Sequence, residues 1–165
     1  MQLIKAYLYP IVIEVQIPDP TIFKVRKRTV YTRPIKAYQG VDNPIQITVI
    51  NQDNKPVNCT GFSVQLDIQD PTNQRTIKSY AVTFADITKG LGTVVLDQAT
   101  IDTLELRLYK LALKRVKLDN NVSSVVYVDA NYGIPLDLEV LPAYYAVSEP
   151  LPETEEITID GGIIQ

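Results

Sequence analysis

The chain has 165 residues, of which 45% are hydrophobic and 21% are charged, and its net charge at pH 7 is −3. This composition fits one folded domain, with or without arms, and excludes an intrinsically disordered chain. No apolar run approaches the roughly 20 residues of a membrane-spanning helix, and the first residues lack the basic start and the cleavage site of a signal peptide.

The missing residue types narrow the possible chemistry. Histidine is absent, so the chain has neither the most common general base nor the most common metal ligand at neutral pH. The single cysteine, Cys59, permits no internal disulfide and no thiolate zinc site. We therefore predict a protein that is not an enzyme and that needs no cofactor or metal.

Residues that favour strands dominate the chain. Val, Ile and Thr together account for 50 of the 165 residues, and ten tyrosines add to them. Eleven prolines are scattered along the length, which opposes long helices. This composition predicts an all-β fold.

The first 40 residues form a flank of their own. Two apolar stretches, 2–17 and 22–31, are separated by the sequence Pro-Asp-Pro at 18–20. These stretches could add strands to a sheet, and their prolines also suit an extended arm. We predict an N-terminal arm or extra strands over 1–40.

Alternation of apolar and polar residues marks the first strands of the central region. Residues 45–50 alternate and run into the polar turn 51–56, and residues 62–69 alternate strictly over eight positions. Such a strand has one buried face and one wet face. Further strands are predicted over 76–84, 93–96, 125–129 and 134–141, with Pro135 at a strand start or on an edge.

Residues 97–118 fit two structures. Asp97 is a candidate N-cap for a short helix that carries Ile101 and Leu104. The following leucines fit helical spacing and strand spacing about equally well. We predict one or two helical turns followed by a strand with a bulge, and a single helix over 98–118 is the alternative.

About seven short strands between 41 and 141 predict an antiparallel β-sandwich, because a single sheet would leave one apolar face in water. Residues 142–165, with three prolines and a cluster of glutamates, are predicted to be an acidic tail.

Charge is distributed unevenly along the chain. The balance is +5 over 1–40, +1 over 41–117 and −9 over 118–165, so a basic arm and an acidic tail are complementary.

The flanks supply the candidate partner-binding residues. The only basic cluster, 24–28, could contact phosphates of a nucleic acid, but an acidic chain is a poor nucleic-acid binder, so we expect protein partners instead. Tyrosine supplies contact area at low entropic cost. The predicted partner-binding residues are Tyr7, Tyr9, Lys24, Arg26, Lys27, Arg28, Tyr31, Arg33, Tyr144, Tyr145, Glu153, Glu155 and Glu156.

Two clusters of oxygen-bearing side chains are candidate ligand sites. Asp137 and Glu139 lie two residues apart and hence on one face of a strand, and with Asp129 they could bind a hard cation. With Tyr127 the same carboxylates could form a carbohydrate-binding face. Alternation alone predicts them as the polar outer face of an edge strand. The asparagines and aspartate at 51–54 lack the glycine and glutamate of a calcium loop and are predicted to form a turn.

One stretch resembles a known family. It begins with Gln-Ile-Thr-Val at 46–49 and continues through Asn-Lys-Pro-Val-Asn-Cys-Thr-Gly-Phe at 54–62. After the strand 63–69 it reaches Gly-Thr-Val-Val-Leu at 92–96, followed by a short helical segment. This order is similar to the immunoglobulin-like modules of tailed-bacteriophage virions, such as the N-terminal domain of upper baseplate proteins. The chain departs from the motif at 58–59, where an acidic residue and leucine are usual.

Val-Asp-Asn-Pro at 41–44 resembles virion structural proteins of contractile-tailed phages of marine cyanobacteria. The resemblance implies an immunoglobulin-like module in a virion, without catalytic residues. It implies a tail or baseplate adaptor that binds other virion proteins in many copies, and a capsid decoration protein is the close alternative. A carbohydrate-binding module is the alternative from another class, and an enzyme is the third.

Overall fold

A computed structural model of the chain describes residues 11–17, 33–128 and 134–144. In these residues the chain forms ten strands, one 3-10 turn and one short helix. The strands are β1 (Ile11–Gln16), β2 (Ile35–Tyr38), β3 (Asn43–Ile50), β4 (Phe62–Gln69), β5 (Thr76–Ala81), β6 (Thr83–Asp86), β7 (Leu91–Leu96), β8 (Leu108–Lys117), β9 (Ser123–Val125) and β10 (Leu136–Leu141). The 3-10 turn spans Ile87–Lys89, and the helix α1 spans Gln98–Asp102.

The strands form two sheets that pack face to face. The four-stranded sheet has the order β1-β3-β7-β6, and the six-stranded sheet has the order β2-β10-β8-β4-β5, with β9 paired to β8. The all-β sandwich with one short helix is confirmed. Most pairs are antiparallel, but β1 is parallel to β3 and β2 is parallel to β10, so both sheets are mixed. Both parallel strands come from the first 40 residues.

The described parts of residues 1–40 are therefore extra strands of the sandwich. Their inward side chains, Ile13, Val15, Ile17, Ile35 and Ala37, belong to the buried core. Alternation within β1 explains this, because its apolar residues at odd positions face the partner sheet. A sandwich built from 41–141 alone would lack these residues.

One lateral side of the sandwich is closed by the chain itself. β5 lies at the edge of the six-stranded sheet, and β6 lies at the edge of the four-stranded sheet. Val82 joins them, is buried, and donates its N–H to the carbonyl of Val64 at 2.9 Å. The strand predicted over 76–84 thus changes sheets at Val82, which alternation could not reveal.

The opposite lateral side is bordered by β1 and β2. Each of these strands has one described neighbour, β3 for β1 and β10 for β2. No described strand links the two sheets on this side. The two sides of the sandwich therefore differ in construction.

The core between the sheets is filled by aliphatic side chains. Ile47, Leu66, Leu111 and Leu138 are fully buried there. Cys59 is also fully buried, and burial raises the pKa of its thiol to about 11. A thiol in this state is a small packing residue rather than a nucleophile.

Residues 97–118 resolve the ambiguity of the sequence. Asp97 caps α1 by accepting the N–H of Thr100 at 2.8 Å, as predicted. The bulge predicted in the next strand is wrong, because β8 pairs with β4 without interruption from Phe62–Lys117 to Gln69–Lys110. The apparent phase slip arises because Val116 is only half-buried and Leu118 is exposed, so neither belongs to the core. The single helix over 98–118 is also wrong.

The strands predicted at 93–96 and 134–141 are present with shifted ends, as β7 and β10. The strand predicted at 125–129 is largely wrong, because β9 spans Ser123–Val125 and shares only Val125 with it. Asp129 lies outside the described residues. Pro135 directly precedes β10, as expected for a residue without an N–H. In the described ranges, none of the helices is long and apolar enough to cross a membrane.

Candidate interaction surface

The outer face of the six-stranded sheet carries most of the described strand charges. On β8, Lys110 pairs with Asp137 of β10, and Lys114 pairs with Asp67 of β4 at 3.3 Å. Lys110 and Asp137 are register partners, whereas Lys114 reaches Asp67 diagonally across the β4–β8 pair. The side chain of Asp67 is 9% exposed, whereas that of Asp137 is 41% exposed. The two pairs therefore sit in different dielectric surroundings.

A second charged group lies where β8 begins. The guanidinium of Arg107 binds both carboxylate oxygens of Asp70, at 3.1 and 3.3 Å. These hydrogen bonds lower the pKa of the Asp70 carboxyl. Arg107 also lies 4.5 Å above the ring of Tyr109, whose hydroxyl accepts the N–H of Glu105. These contacts fix the loop between α1 and β8.

The carboxylates weighed as ligands are placed by β10. Asp137 and Glu139 face outward on the same strand face, as predicted, because Leu136, Leu138 and Val140 face the core. Asp137 is engaged by Lys110. Among the residues that the structure describes, no three Asp, Glu or Cys side chains come close enough to hold a metal ion.

The turn after β3 behaves as predicted. The side chain of Asn51 accepts the N–H groups of Asp53 and Lys55, each at 3.0 Å. This is an asparagine-stabilised turn, in which the side chain replaces a backbone acceptor. The carboxamide that a calcium loop would use is therefore occupied by the backbone.

An exposed apolar patch lies at the β2 end of the outer face, and we call it the tyrosine corner. Tyr38 of β2 is the register partner of Leu141 of β10, and the ring of Tyr144 packs 5.9 Å from that of Tyr38. Leu108, outward on β8, is the register partner of Glu139 and so lies diagonally from Leu141 on the same face, and Leu106 lies in the bend just before β8; we include both leucines in the patch. Leu106, Leu108 and Tyr144 are 56%, 50% and 72% exposed.

Asn43 holds the tyrosine corner in place. This residue is buried at the start of β3, and its side chain accepts the N–H of Tyr38 and donates to the carbonyl of Tyr38, both at 2.9 Å. Its amide also donates to the carbonyl of Val41 at 3.0 Å. A buried polar side chain that satisfies three backbone groups fixes the connection between β2 and β3. The backbone at Tyr38 is therefore rigidly placed.

Beside the tyrosine corner, a cleft of about 790 Å³ opens between β1 and β2. We call it the β1–β2 cleft. Its lining is largely apolar and includes Ile13, Ile35 and Leu136, and Tyr38 also contributes to it. Charged residues stand at its rim, namely Glu14, Arg33 and Lys36. The cleft and the tyrosine corner share Tyr38, so they form one continuous surface.

Two of the predicted partner-binding residues, Arg33 and Tyr144, belong to this surface. The structure brings Tyr144 to the tyrosine corner and Arg33 to the rim of the β1–β2 cleft. The others lie outside the described residues, and these are Tyr7, Tyr9, Lys24, Arg26, Lys27, Arg28, Tyr31, Tyr145, Glu153, Glu155 and Glu156. Their predicted roles stay predictions. Tyr127 of the carbohydrate hypothesis is half-buried beside β9.

Sequence reasoning missed the leucines of the patch. Leu108 fits a helical spacing from Leu104 and Leu111 as well as a strand, and Leu141 continues the outward positions of Asp137 and Glu139. The sequence offers one sign of the patch, namely a leucine at a position where the alternation of the strand predicts a polar residue. Asn43 gave no signal, because its role depends on the contact between two strand ends.

No protein-family model matches the chain, and no curated protein matches it. Among solved structures, the chain is similar to the N-terminal domain of phage TP901-1 ORF48. The TM-score is 0.49 and the sequence identity is 8%, over 80% of this chain and 98% of that chain. At this level of similarity, the function has to be argued from the residues of the chain itself.

Proposed function

We propose that the chain is a non-enzymatic structural protein of a tailed-bacteriophage virion, a β-sandwich adaptor that binds neighbouring subunits. The sequence resemblance over 41–141 supplies the virion context. The observation that carries the adaptor role is the tyrosine corner, an exposed apolar patch on a rigid sheet. Large exposed apolar patches mark protein contact sites, and tyrosine is enriched among the residues that dominate binding energy.

The construction of the sheet suits a contact surface. Three described cations of the outer face and its loops, Lys110, Lys114 and Arg107, are paired with carboxylates of the same sheet and its loops. These groups hold the scaffold, while the leucines and tyrosines of the corner point to solvent. A rigid apolar patch loses little conformational entropy when it binds.

The flanks add an electrostatic part to this proposal. The basic arm within 1–40 and the acidic tail 142–165 would attract complementary segments of neighbouring virion proteins or of further copies of the chain. Such attraction acts over about 8–10 Å at ordinary salt, so it favours neighbours that are already close. We expect a multicopy assembly with protein partners and no need for nucleic acid or membrane.

A tail or baseplate position is the preferred location, because the resembling modules include upper baseplate proteins. Cross-linking mass spectrometry on purified particles of the phage that encodes the chain tests this. Cross-links from Lys36 to tail proteins are expected. Cross-links to the major capsid protein would instead support a decoration protein of the head, and absence of the chain from particles would contradict the virion role.

The tyrosine corner is tested by substitution. Tyr144→Ala removes an exposed contact residue without touching the core, so we expect normal folding and at least a fivefold loss of incorporation into particles, the effect of about 1 kcal/mol at an interface. Leu118→Ala is the matched control, since Leu118 is 64% exposed at the distant β8–β9 turn. Equal incorporation of the two variants would refute the role of the tyrosine corner.

Carbohydrate binding remains the alternative from another class, and it uses different residues. It predicts that Tyr127→Ala abolishes retention on glycan arrays, while Tyr144→Ala has no effect. The pairing of Asp137 with Lys110 disfavours it, because a sugar hydroxyl would compete with an existing ion pair.

A further inference from the structure

We propose that the β1–β2 cleft is a binding site for an acidic, strand-forming peptide, and that its occupant is the C-terminal segment 145–165 of the same chain. The inference does not depend on the virion role. It joins three observations: the apolar cleft, the cations on its rim, and the position at which the described chain ends.

The tail starts at the rim of the β1–β2 cleft. β10 runs parallel to β2, and the chain after it reaches Tyr144, whose ring packs 5.9 Å from that of Tyr38. Tyr38 itself lines the cleft. Residues that follow Tyr144 therefore begin their path beside the opening. A segment of about ten extended residues reaches roughly 33 Å, more than the roughly 20 Å length of β1.

Charge complementarity selects this segment. The charged residues at the described rim of the cleft are Arg33, Lys36 and Glu14, a balance of +1, and the two cations offer partners for carboxylates. The segment 145–165 carries five acidic residues and no basic residue, a balance of −5. No other stretch of comparable length is so uniformly acidic.

The sequence of the tail also suits the apolar floor of the cleft. Residues 154–159 read Thr-Glu-Glu-Ile-Thr-Ile, so Ile157 and Ile159 alternate with Thr158. In an extended strand these two isoleucines face one side. Edge strands such as β1 and β2 can accept a further strand through backbone hydrogen bonds, and side-chain pockets give the specificity. With the isoleucines toward the floor, Glu156 would face the opposite side, toward Arg33 and Lys36, while Glu155 would lie on the isoleucine side at the start of the strand.

Attachment favours the chain's own tail over that of another copy. A short tether gives a local concentration on the order of millimolar, well above the concentration of separate molecules in dilute solution. In the isolated subunit the tail is therefore held in cis. It becomes available to a neighbour only after release from the cleft.

Disulfide trapping in the full-length chain tests the proposal. The double variant Val12→Cys, Thr158→Cys places one thiol on a cleft-lining residue that is 56% exposed and one in the tail. Cys59 is buried and does not compete. Under mild oxidation we expect an intramolecular disulfide, seen as loss of two thiols at the monomer mass.

The control pair is Thr83→Cys with Thr158→Cys, because Thr83 is exposed on β6 at the closed side of the sandwich. We expect the cleft pair to form its disulfide at least tenfold faster than the control pair. Equal rates would overturn the proposal. Disulfide-linked dimers from the cleft pair would also overturn it, because they would show exchange between copies.

The charge argument has its own test in the cleft pair. Glu155→Gln with Glu156→Gln is expected to slow trapping severalfold at low ionic strength, and 1 M salt should slow the unmodified pair similarly. Asp53→Asn with Asp119→Asn is the control, since both aspartates are exposed in turns. An unchanged rate of disulfide formation after substitution of the two glutamates would contradict recognition by charge.

Discussion

Asp97 shows how one residue links helix, sheet and loop. Its carboxylate caps α1 through Thr100 and accepts the hydroxyl of Tyr80 at 2.7 Å. The hydrogen bond from Tyr80, followed by that from Thr100, lowers the pKa of Asp97 to about 2. Burial in turn raises the pKa of Tyr80 to about 12. The cap was predictable from the residue pattern, but the bond to β5 was not, because it depends on packing between distant segments.

The lowered pKa of Asp97 gives a pH-dependent prediction. A carboxyl with a lower pKa in the folded state stabilises the fold above its unfolded value near 4, and this stabilisation is lost as pH falls through about 2. We expect Asp97→Asn to destabilise the protein at pH 7 and to lose most of that difference by pH 2. Urea denaturation from pH 7 to pH 2 measures it. A difference that is constant with pH would contradict the assignment.

At Gly92 the absence of a side chain leaves room for the neighbouring side chains of Val82 and Phe84. A Cβ added at this position in β7 would collide with Cγ1 of Val82 and approach Cδ1 of Phe84 to 3.2 Å. We expect Gly92→Ala to cost about 1–3 kcal/mol through overpacking, visible as a lower urea midpoint. Gly61→Ala is the comparison, because its Cβ would meet nothing within 4 Å although its φ is +88°. A larger loss at Gly61 would show that backbone strain outweighs overpacking.

At the scale of elements, the alternation of apolar and polar residues predicts where strands lie, but it does not predict which sheet a strand joins. The strands β3 and β4 were predictable because their apolar residues have strict period two and end at polar turns. The change of sheet at Val82 was not, since β5 and β6 form one continuous strand pattern. The tyrosine corner was only half predictable: Tyr144 could be named, but Leu108 becomes part of the patch through the register of β8 with β10.

Two lysines on one face of β8 provide a matched test of burial. Lys114 neutralises Asp67, whose oxygen Oδ1 has no hydrogen-bond partner among the described residues. Lys114→Ala would leave a buried carboxylate unpaired, so we expect a loss of about 3 kcal/mol. Lys110→Ala breaks a pair whose two side chains are each about two-fifths exposed, and we expect a loss under about 1 kcal/mol.

Chemical denaturation of the two lysine variants under identical conditions separates these values. The two variants carry the same substitution on the same face of β8, and they differ in how deeply the partner carboxylate is buried. Similar losses for both lysines would mean that Asp67 is hydrated in solution.

At the scale of the whole molecule, the N-terminal region is part of the sandwich. The sequence predicts an arm or extra strands over 1–40 beside a sandwich over 41–141. In the described parts of 1–40 the chain forms the extra strands β1 and β2, which contribute buried residues to the core and pair with β3 and β10. The signal was weak because prolines interrupt the apolar stretches.

Two truncations measure this contribution. Deletion of residues 1–40 removes five core side chains, among them Ile13 and Val15, so we expect loss of cooperative thermal unfolding. Deletion of residues 1–10 leaves β1 intact and should preserve the transition. Circular dichroism melts of both chains give the comparison, and a cooperative melt after deletion of 1–40 would contradict it.

The crossing of the chain at Val82 has a consequence for amide hydrogen exchange. At the β5–β6 side, one continuous chain segment belongs to both sheets and resists their separation. At the opposite side, β1 and β2 are each hydrogen-bonded to only one described strand. Protection factors should therefore fall across the molecule from β4 and β7 toward β1 and β2. We therefore expect the sheets to separate first along β1 and the start of β2, at the β1–β2 cleft, while Asn43 continues to hold the backbone of Tyr38.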